Sequence, residues 1–248
     1  SLDGGSFFYP NPLASNGKYS RKPWFGCACC PSNVSRFIPS LPGYVYAVKD
    51  NQVYVNLYLS NKAELIINKK KVVLEQETGY PWNGDIRVKV AQGNQEFALK
   101  LRIPGWVRNE VLPSDLYSYA DNQKPTYRII VNGQETANTL NNGYLSIERK
   151  WKKGDVVKIH FDMLPRIVKA NEKVVDDKGR VSVERGPIVY CAEWPDNKCN
   201  VHTVLLNQHP QFKVVEKPEP KIQNLHLFLI MPGLTVAKAI WKYGYRLT

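Results

Sequence analysis

Apolar and polar residues alternate with a period of two along most of this chain, the pattern of half-buried β-strands. Tyr44–Val48 and Val53–Leu59 are rich in β-branched and aromatic residues. Between them lies the turn-like run Lys49-Asp50-Asn51-Gln52, so the pair predicts a β-hairpin. Further strands are predicted over Ala63–Asn68, Lys71–Thr78, Asp85–Val90, Glu96–Ile103, Tyr127–Val131, Gly143–Arg149 and Asp155–Phe161, with Asn132-Gly133 and Lys153-Gly154-Asp155 as turns. Many short strands separated by turn residues predict a mainly β protein built as a β-sandwich. One segment reads otherwise. Val34, Phe37, Ile38 and Leu41 recur at helical spacing, so a helix is predicted over Asn33–Ser40, with Ser32 as N-cap and Pro39 and Pro42 keeping it short.

A second group of strands is predicted at Val181–Glu184 and Pro187–Cys191, which places a soft boundary around Pro165–Asp177. The segment Asn200–Thr248 is compatible either with a return to the first sandwich or with a sheet of its own. No internal repeat or low-complexity tract interrupts the chain.

Composition narrows the class. Of 248 residues, 43% are hydrophobic and 23% charged, which suits a globular protein with a real core and sets disorder aside. No apolar run is long enough for a membrane-spanning helix. Ser1–Pro10 lacks the basic and apolar regions of a signal peptide. Its Phe7, Phe8 and Tyr9 are core-type residues, so the chain is expected to lack an upstream part. The net charge of +12 is diffuse. Its densest run, Lys69-Lys70-Lys71, lies between two strands, where lysine guards a sheet against edge pairing. No base-reading motif accompanies it, so no nucleic-acid partner is expected.

The five cysteines are unevenly placed: Cys27, Cys29 and Cys30 cluster, while Cys191 and Cys199 stand apart. Adjacent cysteines rarely bridge each other, and the cluster points to metal or nucleophile chemistry. For Cys191 and Cys199, buried thiols are favoured over a disulfide. Two adjacent cysteines can share a zinc ion if the backbone turns sharply, and a bound metal keeps a thiol as thiolate, a nucleophile. His160, His202, His209 and His226 form no ligand-like cluster, so this chain is expected to supply only part of a site.

Several segments in order resemble glycoside hydrolase family 127. They are Phe7–Leu13, then WFGCACCPSN at Trp24–Asn33 with Arg36-Phe37-Ile38, then Thr78–Gly84 and Leu101–Trp106. Val131-Asn132-Gly133, Trp151–Asp155, Arg185–Cys191 and Asp196-Asn197 complete the set. The resemblance implies an (α/α)6 catalytic barrel followed by β-sandwich domains. On this chain it implies residues 1–43 as a short helical remnant of the barrel, 44–165 as a β-sandwich, and 166–248 as a second sandwich or the completion of the first. It also implies a retaining hydrolase that removes β-L-arabinofuranosyl or related residues from plant-type glycans, with Cys29 as nucleophile and Cys29 and Cys30 as zinc ligands. Tyr9 would lie near the sugar pocket. The acid/base glutamate and the remaining ligands would lie upstream. The implied cofactor is Zn2+ in the intact enzyme, vacant or only partly held in this fragment, which alone would be inactive.

Other residues read more plainly. Cys27 reads as structural; Trp24 and Phe25 as anchors of the turn or as sugar-stacking groups; Arg102, Trp106 and Trp151 as sandwich packing. Glu184 and Glu193 read as solvated carboxylates. The partners expected are an oligosaccharide or polysaccharide and, as an open option, a second copy in a homodimer; no membrane is expected. The competing reading is a stand-alone β-sandwich module that binds carbohydrate.

Overall fold

The alternation of the sequence becomes two packed sheets. The computed structural model describes residues 5–7, 20–24, 26–27, 29–136, 139–192, 200–206, 210–218, 225–231 and 234–238. By its contacts the chain divides into two compact units. One takes in the described residues up to Leu41 and those from Tyr190 on; the other is Pro42–Val189.

In the second unit, one sheet has the order β1-β2-β6-β11-β10. Its strands are β1 (Tyr46–Lys49), β2 (Gln52–Val55), β6 (Asn94–Arg102), β10 (Leu140–Asn141) and β11 (Tyr144–Lys152). The facing sheet has the order β3-β4-β5-β12-β8-β9. Its strands are β3 (Asn61–Ile67), β4 (Lys70–Thr78), β5 (Asp85–Gln92), β8 (Tyr127–Val131), β9 (Gln134–Glu135) and β12 (Val156–Phe161). Every neighbouring pair is antiparallel except β2 with β6, where Val53 stands opposite Leu99 in a parallel ladder. Alternate residues point inward, and one apolar cluster joins both sheets. Val53, Phe97, Leu101, Leu145 and Trp151 come from the first sheet, and Leu74, Ile86, Val88, Ile129 and Ile159 from the second. This is a β-sandwich, as the alternation predicts.

Aromatic and polar groups close the core. Trp151 is wholly buried and its Nε1 donates to Phe97 O at 3.0 Å. Phe161 is in contact with Tyr58, Tyr80 and Trp106 at ring separations of 5.7–6.4 Å. Gln76 crosses between the sheets, its Nε2 donating to Tyr46 Oη at 2.7 Å and to Leu57 O at 3.3 Å. Burial pushes the Tyr46 hydroxyl up to about 12, against the opposing hydrogen bonds of Gln76 and Asn61. Gly84 allows the Thr78–Gly84 turn to lie against β12: a Cβ there would stand 1.9 Å from Phe161 O.

Three expectations are corrected. Tyr44 and Val45 are helical, in the short α2 (Pro42–Val45), because Pro42 is pre-set for a helical first turn. The second strand of the hairpin stops at Val55. Beyond it the N–H groups of Asn56 and Leu57 turn to Val45 O, at 2.9 and 3.4 Å, instead of a neighbouring strand. Arg102 is not core packing. It is exposed, with Nη1 3.4 Å from Asn56 O, whereas Trp106 and Trp151 are buried as expected.

A third sheet has the order β15-β14-β13-β7, with β7 (Tyr117–Tyr119), β13 (Pro165–Ala170), β14 (Val181–Arg185) and β15 (Ile188–Tyr190). The segment read as a soft boundary therefore contains a strand, and that strand pairs back with β7 from the β6–β8 excursion. Arg166 fastens this return. Only 3% exposed, it stacks over the Tyr119 ring at 3.4 Å and donates through Nε and Nη2 to Asp121 Oδ1 at 3.1 and 2.8 Å, and through Nη2 to Asn109 Oδ1 at 2.7 Å. Gly186 adopts φ +60 in the turn between β14 and β15, where a Cβ would meet Met163 Cε at 2.3 Å. Arg185-Gly186-Pro187 is thus a turn, as read. In the first unit, β16 (Lys213–Pro218), β17 (Leu225–Met231) and β18 (Leu234–Lys238) form an antiparallel sheet of their own, one of the two arrangements read for the tail.

Candidate active site

The doubled cysteine sits in the first turn of a helix. α1 runs Cys29–Ser40 and begins four residues before the expected Asn33. Pro31 does not delay it, because the N–H groups of a first turn have no partner within the helix and a proline there forfeits none. Ser32 is therefore inside the helix and not its N-cap. Ser32 Oγ and Asn33 Nδ2 both donate to Cys29 O, at 2.8 and 2.9 Å. Arg36 Nη2 donates to Asn33 Oδ1 and orients that amide. The Cys29 carbonyl is thus held by two side chains, which fixes the peptide between the two cysteines.

Ahead of the helix, Phe7 and Lys22 exchange backbone hydrogen bonds of 2.8 and 2.9 Å, and Trp24 meets Phe7 edge-on with ring centroids 6.0 Å apart. This contact gives Trp24 an anchoring role, although its ring stays 57% exposed. Phe25 and Tyr9 lie outside the described residues.

Cys29 Sγ and Cys30 Sγ are 3.9 Å apart, and both side chains are exposed. Two thiolates each about 2.3 Å from one tetrahedral zinc stand about 3.8 Å apart. The spacing, the sulfur donors and the first-turn position, where the helix dipole favours negative charge, all fit a shared zinc ion. Cys27 is exposed. Among the described residues no group of three or more His, Cys, Asp or Glu could hold a metal ion, so the further ligands are not gathered by these residues. Cys191 is half-buried, while Cys199 and Glu193 lie outside the described residues.

Glu184 is not the solvated carboxylate the sequence suggested. It is half-buried on β14 opposite Arg166, and Tyr119 Oη donates to its Oε2 at 3.4 Å. Burial raises its carboxyl above the ordinary value, and the Tyr119 hydrogen bond and the Arg166 charge only partly oppose that. Burial and the nearby Glu184 together push the Tyr119 hydroxyl up to about 12. No local pattern signals this cluster, because its members are spread from Asn109 to Glu184.

Models of the three domains of one family match the chain in succession. The β-L-arabinofuranosidase GH127 catalytic domain matches residues 1–43, the β-L-arabinofuranosidase GH127 middle domain 52–163, and the glycoside hydrolase family 127 C-terminal domain 165–238. The chain belongs to glycoside hydrolase family 127. It is 32% identical over 216 residues to a non-reducing end β-L-arabinofuranosidase of Bifidobacterium longum subsp. longum, which takes in 79% of this chain and 30% of that protein. A solved family 127 β-arabinofuranosidase is 71% identical with a TM-score of 0.87, over 96% of this chain and 39% of that one. A family 127 β-L-arabinofuranosidase from Geobacillus stearothermophilus T6 is 32% identical with a TM-score of 0.79, over 92% of this chain and 36% of its own. The chain thus spans between 30% and 39% of the length of these family members. Among the described residues no helix is long and apolar enough to cross a membrane.

Proposed function

We propose that this chain forms part of a retaining glycoside hydrolase that removes β-L-arabinofuranosyl or closely related residues from plant-type glycans, with Cys29 as nucleophile. The observation that carries this reading is the 3.9 Å pair of exposed sulfurs at the start of α1, within the segment that matches the family's catalytic domain.

Cys29 and Cys30 would hold a zinc ion. Zinc bound there supplies a Lewis acid that keeps the sulfur deprotonated and directed at the sugar. The Cys29 thiolate attacks the anomeric carbon, so a C–S bond forms as the glycosidic C–O bond breaks. The departing oxygen takes a proton from a general acid, and the same group then removes a proton from water as it hydrolyses the thioglycoside. Two displacements at one carbon retain its configuration. Glu184 is not that general acid in this reading, since Tyr119 Oη already donates to it and the Arg166 charge acts on it; the acid is a carboxyl outside this chain. Tyr9 is assigned to the sugar pocket.

The test uses the chain as it stands and the same chain joined to the upstream residues its relatives carry. The longer protein should bind zinc and hydrolyse p-nitrophenyl β-L-arabinofuranoside, and Cys29→Ser should lower kcat by at least about a thousandfold, the scale on which removal of a nucleophile acts. The 248-residue chain alone should hold little zinc by elemental analysis. Full activity of the Cys29→Ser protein would end the nucleophile assignment. One tightly held zinc per 248-residue chain, lost in Cys29→Ser, would show that the chain completes its own site and would overturn the shared-site reading.

A further inference from the structure

The two outer faces of the sandwich are chemically unlike. On the β3-β4-β5-β12 face, acids and bases pair with one another: Glu75 lies 3.4 and 3.7 Å from Lys62 and Lys89, Glu64 2.7 Å from Lys71, and Glu77 2.9 Å from Arg87. That face pairs most of its charges, exposed Lys158 being without an ion pair among the described residues, and suits water.

The β1-β2-β6-β11 face is built differently. Alternation places Lys49, Lys100, Arg102, Lys150 and Lys152 on it against Glu96 and Glu148, with Lys150 directly opposite Glu96, and among the described residues none of these seven forms an ion pair. Its central cross-strand row is Ala47, Tyr54, Lys100 and Ser146, with Gln52 and Ala98 in the next row. Half-buried Tyr54 thus stands between Ala47 and Lys100 in its row. Tyr144 stands edge-on to Tyr54 with ring centroids 5.3 Å apart, and the Lys100 ammonium lies 5.6 Å from the Tyr54 centroid. Both phenols are held in place: Tyr54 Oη donates to Gln52 Oε1 at 2.6 Å and Tyr144 Oη to Asn56 Oδ1 at 2.8 Å. Ser146 Oγ is shielded from water and has no hydrogen-bond partner. Fixed aromatic rings with Lys100 and Arg102 beside them, neither in an ion pair among the described residues, form a surface complementary to a chain that offers both C–H faces and carboxylates.

We infer that this face binds an acidic polysaccharide, a chain of uronate residues, through Tyr54, Tyr144, Lys100 and Arg102. The rings pack against the apolar faces of the sugars, and Lys100 and Arg102 receive the carboxylates. The inference rests on the glycan-directed reading above but not on Cys29, which belongs to the other compact unit. Such a surface would hold the chain on uronate-bearing plant material.

The experiment is binding of the 248-residue chain to immobilised oligogalacturonate, with neutral arabinan and double-stranded DNA as comparison surfaces. Oligogalacturonate should be bound in preference to both. Lys100→Ala combined with Arg102→Ala, and separately Tyr54→Ala, should each weaken binding at least tenfold with the thermal midpoint retained, while Lys158→Ala on the opposite face and Cys29→Ser leave it unchanged. If the Tyr54 variant loses its fold, Lys100→Glu, which leaves both rings in place, replaces it and should weaken binding as strongly. No binding to oligogalacturonate, equal binding to DNA, or an equal loss in Lys158→Ala would overturn the proposal. Because Cys29→Ser is tested alongside, failure here is distinguishable from failure of the nucleophile assignment.

Discussion

The sandwich and the cysteine helix differ in what holds their side chains. Between Tyr46 and Phe161 alternate residues are fully buried in one cluster, whereas α1 has no buried side chain from Cys29 to Ser40. The sandwich is specified by burial, so its sequence pattern is strong. α1 is specified locally, by Ser32 and Asn33 at the Cys29 carbonyl and by Ser35 Oγ donating to Pro31 O at 2.9 Å. The proposed chemistry and the stability therefore fall in different parts of the chain, and substitutions should separate them.

The largest expected effect is in the sandwich. Trp151→Ala removes the largest wholly buried side chain and leaves Phe97 O without its indole donor. A loss of about 3–5 kcal/mol is expected from lost burial and the cavity left behind, measured by urea unfolding of the 248-residue chain. A loss below about 1 kcal/mol would mean that the core does not carry the stability assigned to it.

A smaller effect is expected at Asp155, where one carboxylate joins two turns. Its Oδ2 accepts from Lys152 N and its Oδ1 from Asn132 Nδ2, both at 2.8 Å, and Asn132 Oδ1 accepts from Val156 N at 2.8 Å. Burial alone would raise this carboxyl, but the Lys152 N–H, the Asn132 amide and the Arg149 and Lys152 charges outweigh it and hold the group below the ordinary carboxylate value. The folded state thus binds this proton more weakly than the unfolded chain does. The contribution is intact above the ordinary carboxylate range and is lost as pH falls through the depressed folded value. Asp155→Ala should cost about 1–2 kcal/mol at neutral pH, and the difference from wild type should shrink toward pH 3. A constant difference across that range would show that Asp155 acts by packing alone.

These positions also show what could be read in the sequence. The strands from Ala63 to Ile103, and those at Tyr127–Val131 and Asp155–Phe161, were legible because one face is buried and the other wet, and Asn132-Gly133 and Gly154 punctuate them. β7 and β13 were not. Pro165, Arg166 and Lys169 break the alternation, so the segment reads as a linker. Arg166 can be buried only because Asp121, Asn109 and Tyr119, 45–57 positions earlier, supply its partners. No local pattern records such a long-range match. The cysteine pair stood out as a candidate because adjacent thiols are unusual. The 3.9 Å spacing was not, since it depends on the helix starting at Cys29 and not at Asn33.

Glu184 tests the same long-range cluster through pH. Its folded carboxyl is raised, first by burial, with Tyr119 and Arg166 opposing. The folded state therefore binds this proton more tightly than the unfolded chain, and stability falls as pH rises from the ordinary carboxylate value through the raised one. Glu184→Gln removes that fall while keeping an acceptor for Tyr119 Oη. The variant should match wild type near pH 4 and have the higher thermal midpoint at pH 7.5. A lower midpoint at pH 7.5 would show that attraction to Arg166 outweighs the cost of burying the charge.

The smallest effect is expected on α1, and its smallness is the point. Val34 is 55% exposed on the helix, and valine and serine have similar helix propensities. Val34→Ser therefore removes little burial and little local preference, and unfolding of the 248-residue chain should shift by no more than about 0.5 kcal/mol. The same substitution in the longer protein gives the sharper comparison. If α1 turns Val34 against another part of that protein, the cost there should rise to about 1–3 kcal/mol, the range for large-to-small changes at a site that becomes buried. A loss of that size already in the 248-residue chain would mean that α1 is packed within this chain, and the separation of chemistry from stability would fail.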